Sequence, residues 1–250
     1  MKTILITGCS SGFGLDTAQY FLERGWKVIA TMRTPKDDLL PASPNLRVLA
    51  LDVTDAASIA RVVAAAGPVD VLVNNAGIGL LSAVEGASMA TVREIFETNT
   101  LGTIAMTQAV LPQFRQRRDG VVINVTSTVT LRALPLLSVY TASKAAVNAF
   151  TESLALELKP FKVRAHLVLP GRSMETSFGA NARARMQEAA PADYADFTQS
   201  VFSALMGDTS EATKPRDVAE AVWQVANDAS SPMRTPAGAD AKVWAAQAGM

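Results

Sequence analysis

Thr7-Gly8-Cys9-Ser10-Ser11-Gly12-Phe13-Gly14 follows a short apolar run, Ile4-Leu5-Ile6, and opens a segment, Gly12–Arg24, whose Leu15, Ala18, Phe21 and Leu22 share one helical face. Glycines at such a junction let the backbone turn sharply from strand to helix. They also let it approach a pyrophosphate closely and present helix N-terminal amides to it. The spacing is Gly-x-x-x-Gly-x-Gly, not the Gly-x-Gly-x-x-Gly of the general dinucleotide fingerprint. Taken alone, it also suits a turn whose glycines serve only packing; its place in the first strand–helix unit favours a nucleotide. Cys9 has no histidine near it in sequence to activate it and reads as a small filler.

Working outward, short β-branched runs alternate with longer helical segments. Ile4–Thr7, Val28–Thr31, Leu46–Leu51, Val69–Val73, Val121–Val125 and Val163–Leu169 read as strands. Gly12–Arg24, Ala56–Ala66, Met89–Gln116 and Val139–Leu158 read as helices, the third kinked or divided by Pro112. Such alternation predicts an α/β single-domain Rossmann fold over residues 1–250, a doubly wound parallel sheet with helices on both faces. Arg172–Asp208 interrupts the rhythm with Met174, Phe178, Tyr194, Phe197 and Phe202. Past the carboxyl end of a strand, 172–208 is placed to be a helical substrate lid, or a helical pair that only packs on the sheet.

Composition narrows the chemistry. Twenty-three basic residues balance 23 acidic ones, which leaves no net field for nucleic acid or an anionic membrane. One cysteine excludes an internal disulfide, and with one histidine, His166, the usual zinc ligand sets cannot be assembled, so no metal is expected. The lone His166, on a strand, reads as structural. Only Ile4-Leu5-Ile6 separates Lys2 from Thr7-Gly8, too little for a signal peptide, and a cytoplasmic protein is the expectation.

Two later stretches carry reactive groups. Asn74-Asn75-Ala76-Gly77 closes the fourth strand, where amides and a glycine can line a crevice. Tyr140-Thr141-Ala142-Ser143-Lys144 starts the helix after the fifth strand, and Tyr140 and Lys144 share a face of it. A free phenol, with a pKa of about 10, is a poor base at neutral pH, and a nearby ammonium lowers it. Ser127, just past the fifth strand, can donate a hydrogen bond to a developing alkoxide.

The glycine turn, Asn-Asn-Ala-Gly, Ser127 and Tyr-x-x-x-Lys occur in this order, each at the matching end of a strand. Together they resemble the classical short-chain dehydrogenase/reductase family, from about Thr3 to the helix near Ala229. The resemblance implies a catalytic tetrad of Asn99, Ser127, Tyr140 and Lys144. Tyr140 would be acid in carbonyl reduction and base in alcohol oxidation, and Lys144 would hold the nicotinamide ribose and depress the phenol. Ser127 would position the substrate oxygen, and Asn99 would kink a helix and hold a relay water. It further implies that Gly8, Ser10, Ser11, Gly12, Phe13, Gly14, Arg33, Asp52, Val53, Asn75, Ala76, Gly77, Tyr140, Lys144, Pro170 and Gly171 bind the cofactor. Asp52-Val53 would meet adenine and Pro170-Gly171 the nicotinamide.

The threonine that follows the Pro-Gly pair in relatives comes one residue late here. Either Ser173 or Thr176 is therefore left to contact the carboxamide. Relatives also end in a seventh strand, where this chain has Pro236 in Arg234–Asp240. Gly25–Thr31 with Arg33 looks most like the hydroxysteroid-dehydrogenase-like branch. After the second strand the chain reads Thr31-Met32-Arg33, with no carboxylate until Asp37, which favours NADP(H) over NAD(H). The expectation is an NADP(H)-dependent oxidoreductase acting on an apolar small-molecule carbonyl/alcohol pair, as a homodimer or homotetramer. The alternative is a non-catalytic dinucleotide-binding sensor or scaffold of the same fold.

Overall fold

Aliphatic runs too short to span a helix, and apolar on both faces, can bury themselves only as interior strands of a parallel sheet. A computed structural model of the chain describes residues 1–36, 38–173, 191–207 and 209–250. Among these residues seven strands form one parallel sheet: β1 (Thr3–Ile6), β2 (Lys27–Met32), β3 (Leu46–Ala50), β4 (Val71–Asn74), β5 (Gly120–Val125), β6 (Val163–Pro170) and β7 (Arg234–Ala237). Their order is β3-β2-β1-β4-β5-β6-β7. The helices are α1 (Gly12–Glu23), α2 (Ala56–Ala66), α3 (Met89–Phe96), α4 (Gly102–Arg117), α5 (Ser138–Leu158), α6 (Ala195–Gly207), α7 (Pro215–Asn227) and α8 (Ala239–Gln247). None of the described helices is long and apolar enough to cross a membrane.

Strand alternation sorts the core into two layers. Ile4 and Ile6 of β1 face α1 and α7, packing with Phe21, Val218 and Val222. Leu5 faces the other way, toward Val62, Val110, Phe114 and Leu154 of α2, α4 and α5. Each fully buried side chain of this size stabilises the fold by about 1.5–3 kcal/mol. The sequence steps outward from β1 to β3 and then returns to place β4 beside β1. That reversal opens a crevice at the carboxyl edge, between the ends of β1 and β4.

Two details differ from the sequence expectation. The long helix over Met89–Gln116 is divided by a π-helical turn, Glu97–Leu101, and not by Pro112, which α4 runs through. Met106, Val110 and Phe114, all fully buried, hold α4 on the sheet around the hydrogen bond the proline cannot make. The seventh strand does form despite Pro236, which pairs in register with Leu169. β7 is an edge, so it needs amides for one neighbour only. His166 is structural, its Nδ1 2.9 Å from the Pro232 carbonyl, with burial and then Arg164 holding its pKa down.

Of the expected lid, Met174, Thr176 and Phe178 lie outside the described residues. The described remainder includes a 3-10 turn, Ala192–Tyr194, and α6, with Phe197 and Leu205 exposed. The Tyr194 phenol bonds the Glu85 carboxylate, which raises the phenol's pKa and ties this segment to the loop after β4.

Candidate active site

Thr7, the residue that ends β1, sets the glycine turn against the end of β4. Its Oγ1 accepts the amides of Asn75 and Ala76, each at 3.0 Å. Asn75 Nδ2 donates back to the carbonyls of Thr7 (3.0 Å) and Gly8 (3.1 Å). Gly8 has φ +76°, and a Cβ there would stand 2.8 Å from Ala76 Cα. A Cβ on Gly14 would collide with the Gly8 carbonyl. Only glycine satisfies this double turn, which brings exposed Ser10 and Ser11 and the first amides of α1 to the crevice. Cys9 is buried behind it with its thiol pushed up to about 12 by burial, the protonation of a filler and not of a nucleophile.

Farther along the edge, Arg33 is exposed directly after β2. Asp52, after β3, accepts the amide (2.9 Å) and hydroxyl (2.7 Å) of Thr54. Those two bonds, and more weakly the Arg33 guanidinium, hold the Asp52 carboxyl below its ordinary value. Val53 is buried against Gly102, where a Cβ would press within 2.8 Å of its Cγ2.

The reactive groups gather at the ends of β4 and β5. Asn99, fully buried in the π turn, accepts the Ile78 amide on Oδ1 (2.8 Å). Its Nδ2 donates to the Ile78 carbonyl (2.9 Å) and to Ser143 Oγ (3.0 Å). The wide turn also turns the Asn99 carbonyl to the Thr103 hydroxyl at 2.9 Å. Ser143 Oγ donates to the Tyr140 carbonyl (2.7 Å), and Thr100 Oγ1 to the Ser143 carbonyl (3.0 Å), so the π turn and the start of α5 are locked together. Lys144 Nζ donates to the Val125 carbonyl at 3.1 Å. A Cβ on Gly77 would meet Asn99 Oδ1 at 3.2 Å and Lys144 Nζ at 3.3 Å, so a side chain there would press on both polar ends. Ser127 caps a 3-10 turn, Thr128–Thr130, accepting the Val129 amide at 3.3 Å.

Burial governs the titrating groups. Tyr140 is 6% exposed, and burial pushes its phenol up while the Ser127 hydrogen bond pulls it down more weakly. Burial lowers Lys144 to about 8. Both are electrostatically tense, as groups poised for proton transfer or ion binding are. At the end of β6, Pro170-Gly171 leads to Ser173, whose enclosed Oγ has no hydrogen-bond partner among the described residues, and the same is true of Thr126 Oγ1 before Ser127. Enclosed orphan hydroxyls and a glycine-lined crevice suit a polar, phosphate-bearing ligand along this edge.

Thus the residues expected to form the tetrad and to bind the cofactor all lie at the carboxyl edge, while Thr176 falls outside the described residues. Thr7 and Ser143 were missed as supports, although both stand inside stretches quoted for other reasons. Ser143, three residues after Tyr140, had a spacing signal that was there to be read.

The geometry has relatives. Residues 2–187 match the model of the short chain dehydrogenase family. A 3-ketodihydrosphingosine reductase of Bacteroides thetaiotaomicron is 35% identical over 241 residues, covering 95% of this chain and 88% of that one. A short-chain dehydrogenase structure from Streptomyces avermitilis superposes with a TM-score of 0.86 at 33% identity, covering 98% and 91% of the two chains. Another, from Burkholderia cenocepacia in complex with NADP, gives 0.77 at 27% identity over 98% and 93%. The chain belongs to the classical short-chain dehydrogenases/reductases, in their hydroxysteroid-dehydrogenase-like branch, and is an oxidoreductase.

Proposed function

We propose that the protein uses NADP(H) to interconvert an apolar ketone or aldehyde and the corresponding alcohol. One observation carries the reading: Tyr140, hydrogen-bonded to Ser127, is buried on the same helix as Lys144, whose Nζ lies beside Gly77, as Asn99 Oδ1 does. The relative named as a reductase of a 3-keto compound and the neighbour holding NADP agree with it.

When bound, the nicotinamide supplies or accepts the hydride. The chain does the rest. The Gly8–Gly14 turn and the N-terminus of α1 hold the pyrophosphate. Asp52 and Val53 flank adenine, Arg33 holds the 2′-phosphate, and Asn75, Ala76 and Gly77 form the wall between them and the reaction. Lys144 donates to the ribose hydroxyls, and Pro170-Gly171 with Ser173 receives the carboxamide. Ser127 Oγ donates to the substrate oxygen, and Tyr140 Oη delivers the proton that turns it into a hydroxyl. Asn99 holds the π turn and with it, through Ser143, the first turn of α5. Leu81, Leu134 and Leu137, half-buried beside exposed Val84, give the loops flanking Ser127 and Tyr140 an apolar cast that suits an apolar substrate. The turn Ala192–Tyr194 and α6, tied by Tyr194 to Glu85 in the loop after β4, cover that substrate. A cytoplasmic location and a homodimer or homotetramer complete the reading.

The test is a screen of aliphatic, steroidal and aromatic ketones and aldehydes, following loss of NADPH absorbance. Turnover on at least one class is expected. Tight NADPH binding without turnover on any would favour the sensor or scaffold.

A further inference from the structure

Asp240 stands in the first turn of α8, 68 residues beyond Arg172, and is 8% exposed. Its Oδ2 accepts the backbone amide of Arg172 at 2.7 Å. Its Oδ1 accepts the Thr213 hydroxyl at 2.6 Å and the Ala241 amide at 2.9 Å. Thr213, 1% exposed, accepts in turn the amide of Gly171 at 2.9 Å. Two consecutive amides of the loop after Pro170 therefore end on one carboxylate, Arg172 directly and Gly171 through a hydroxyl. Such bonds to a buried anion are short and strong.

The surroundings are cut to this arrangement. A Cβ on Gly171 would collide with the Asp240 carboxylate, and one on Gly238 with the Thr213 hydroxyl. The Arg172 carbonyl accepts the Thr213 amide at 2.8 Å, so the chain leaving at Arg172 and the chain returning at Thr213 are fastened to each other beside the same carboxylate. The Arg172 guanidinium reaches on to the carbonyls of Leu205 (3.1 Å) and Ser210 (3.0 Å) at the far end of α6.

We infer that Asp240, acting through Thr213, is a positioning residue that fixes Gly171 and Arg172 so that the nicotinamide half of the cofactor is held for hydride transfer. This rests on the assignment of Pro170-Gly171 to the nicotinamide. Asp240 touches neither cofactor nor substrate. Its effect falls on one end of the dinucleotide, because the glycine turn follows β1 and Arg33 follows β2, with two and three strands between them and β6.

The confinement supplies the test. Dissociation constants are measured for NADPH and for adenosine 2′-phosphate 5′-diphosphoribose, which lacks the nicotinamide. The proteins are the wild type, Asp240→Asn, Asp240→Ala, Thr213→Val and Thr213→Ser, with thermal midpoints recorded alongside. Asp240→Asn must turn its Nδ2 toward one of two backbone amides, Arg172 or Ala241, and so loses one of the two bonds. Losing one charge-assisted bond should weaken NADPH by about 10-fold and leave the fragment within about 2-fold. Thr213→Val should behave likewise and Thr213→Ser should restore wild-type binding. Emission of bound NADPH, which reports the nicotinamide ring, should fall in the same variants. Equal losses for both ligands, or losses that follow the thermal midpoint and are not restored by serine, would overturn the positioning role and leave the functional reading intact. Wild-type protein that binds neither ligand would overturn both.

Discussion

Removing the Arg33 guanidinium tests cofactor choice where the structure makes it sharpest. Arg33 is exposed after β2, and Asp52 at the end of the adjacent β3 feels its charge. A ribose 2′-phosphate carries about −1.5 to −2 charges at neutral pH. In water two unit charges about 4 Å apart interact by about 1 kcal/mol, so an exposed arginine holds the phosphate by about 1.5–2 kcal/mol. Asp52 repels the same phosphate and keeps the value from rising further. The expected preference is about 10- to 30-fold in kcat/KM for NADP(H) over NAD(H), most of it lost in Arg33→Ala. The mutant should use NAD(H) nearly as well as the wild type does, because the missing group faces only the phosphate. Steady-state rates with both cofactors, at low salt and at about 0.5 M, provide the assay; screening predicts that salt shrinks the preference in the wild type and leaves the mutant flat. Equal use of both cofactors by the wild type, or an unchanged ratio in Arg33→Ala, would refute the assignment.

Tyr140→Phe should lower kcat by roughly 10²- to 10⁴-fold while NADPH affinity stays within a few-fold, because the phenol moves a proton and the ring only packs; a mutant keeping half the wild-type kcat removes Tyr140 from the chemistry. Lys144, lowered to about 8 by burial, is charged below that pH and neutral above it, so NADPH affinity should fall as pH rises through about 8, with a proton taken up on binding. The same depressed value means that unfolded chains bind more protons between pH 8 and the ordinary lysine value. This residue should therefore add stability to the free protein as pH rises through that window, and Lys144→Met should flatten both profiles in titration and thermal melts. Leu101 (49% exposed) ends the π turn before α4 and Leu156 (63%) lies on α5, as a self-association surface would require, and Leu156→Glu should convert the assembly to monomer in sedimentation. A wild type that sediments only as monomer rejects the homo-oligomer.

What was legible in the chain was local. Gly8 and Gly14 announce their turn because a Cβ at either would collide with the chain, and Tyr140 and Lys144 share a face by helical spacing alone. Asn99 was not legible in this way. An asparagine in an apolar-periodic helix looks like any polar residue, and the π turn that makes it special arises from contacts with Ile78 and Ser143, 21 and 44 residues away. Pro112 drew attention as the expected break because proline has a strong local signature, whereas the actual break has none. Asp240 was hidden for the same reason as Asn99: its partners Thr213 and Arg172 are distant in sequence, and the nearby Pro236 read as a departure from the seventh strand of relatives.

The proton chemistry shows how far residue spacing can carry an argument before burial takes over. Tyr140 and Lys144 four apart imply a phenol made more acidic by an ammonium. In the folded chain burial acts on both partners, raising the phenol and lowering the amine, while Lys144 Nζ donates to the Val125 carbonyl. A buried pair without further charge is thus set with its proton on the tyrosine. That is the state required of an acid, the role proposed for Tyr140 when a carbonyl is reduced. The base needed for alcohol oxidation must come from positive charge added to this pocket, which an oxidised nicotinamide carries and a reduced one does not. Burial thus leaves the free phenol protonated, the form the proposed acid needs, and the positive charge of an oxidised cofactor would favour the phenolate that the proposed base needs.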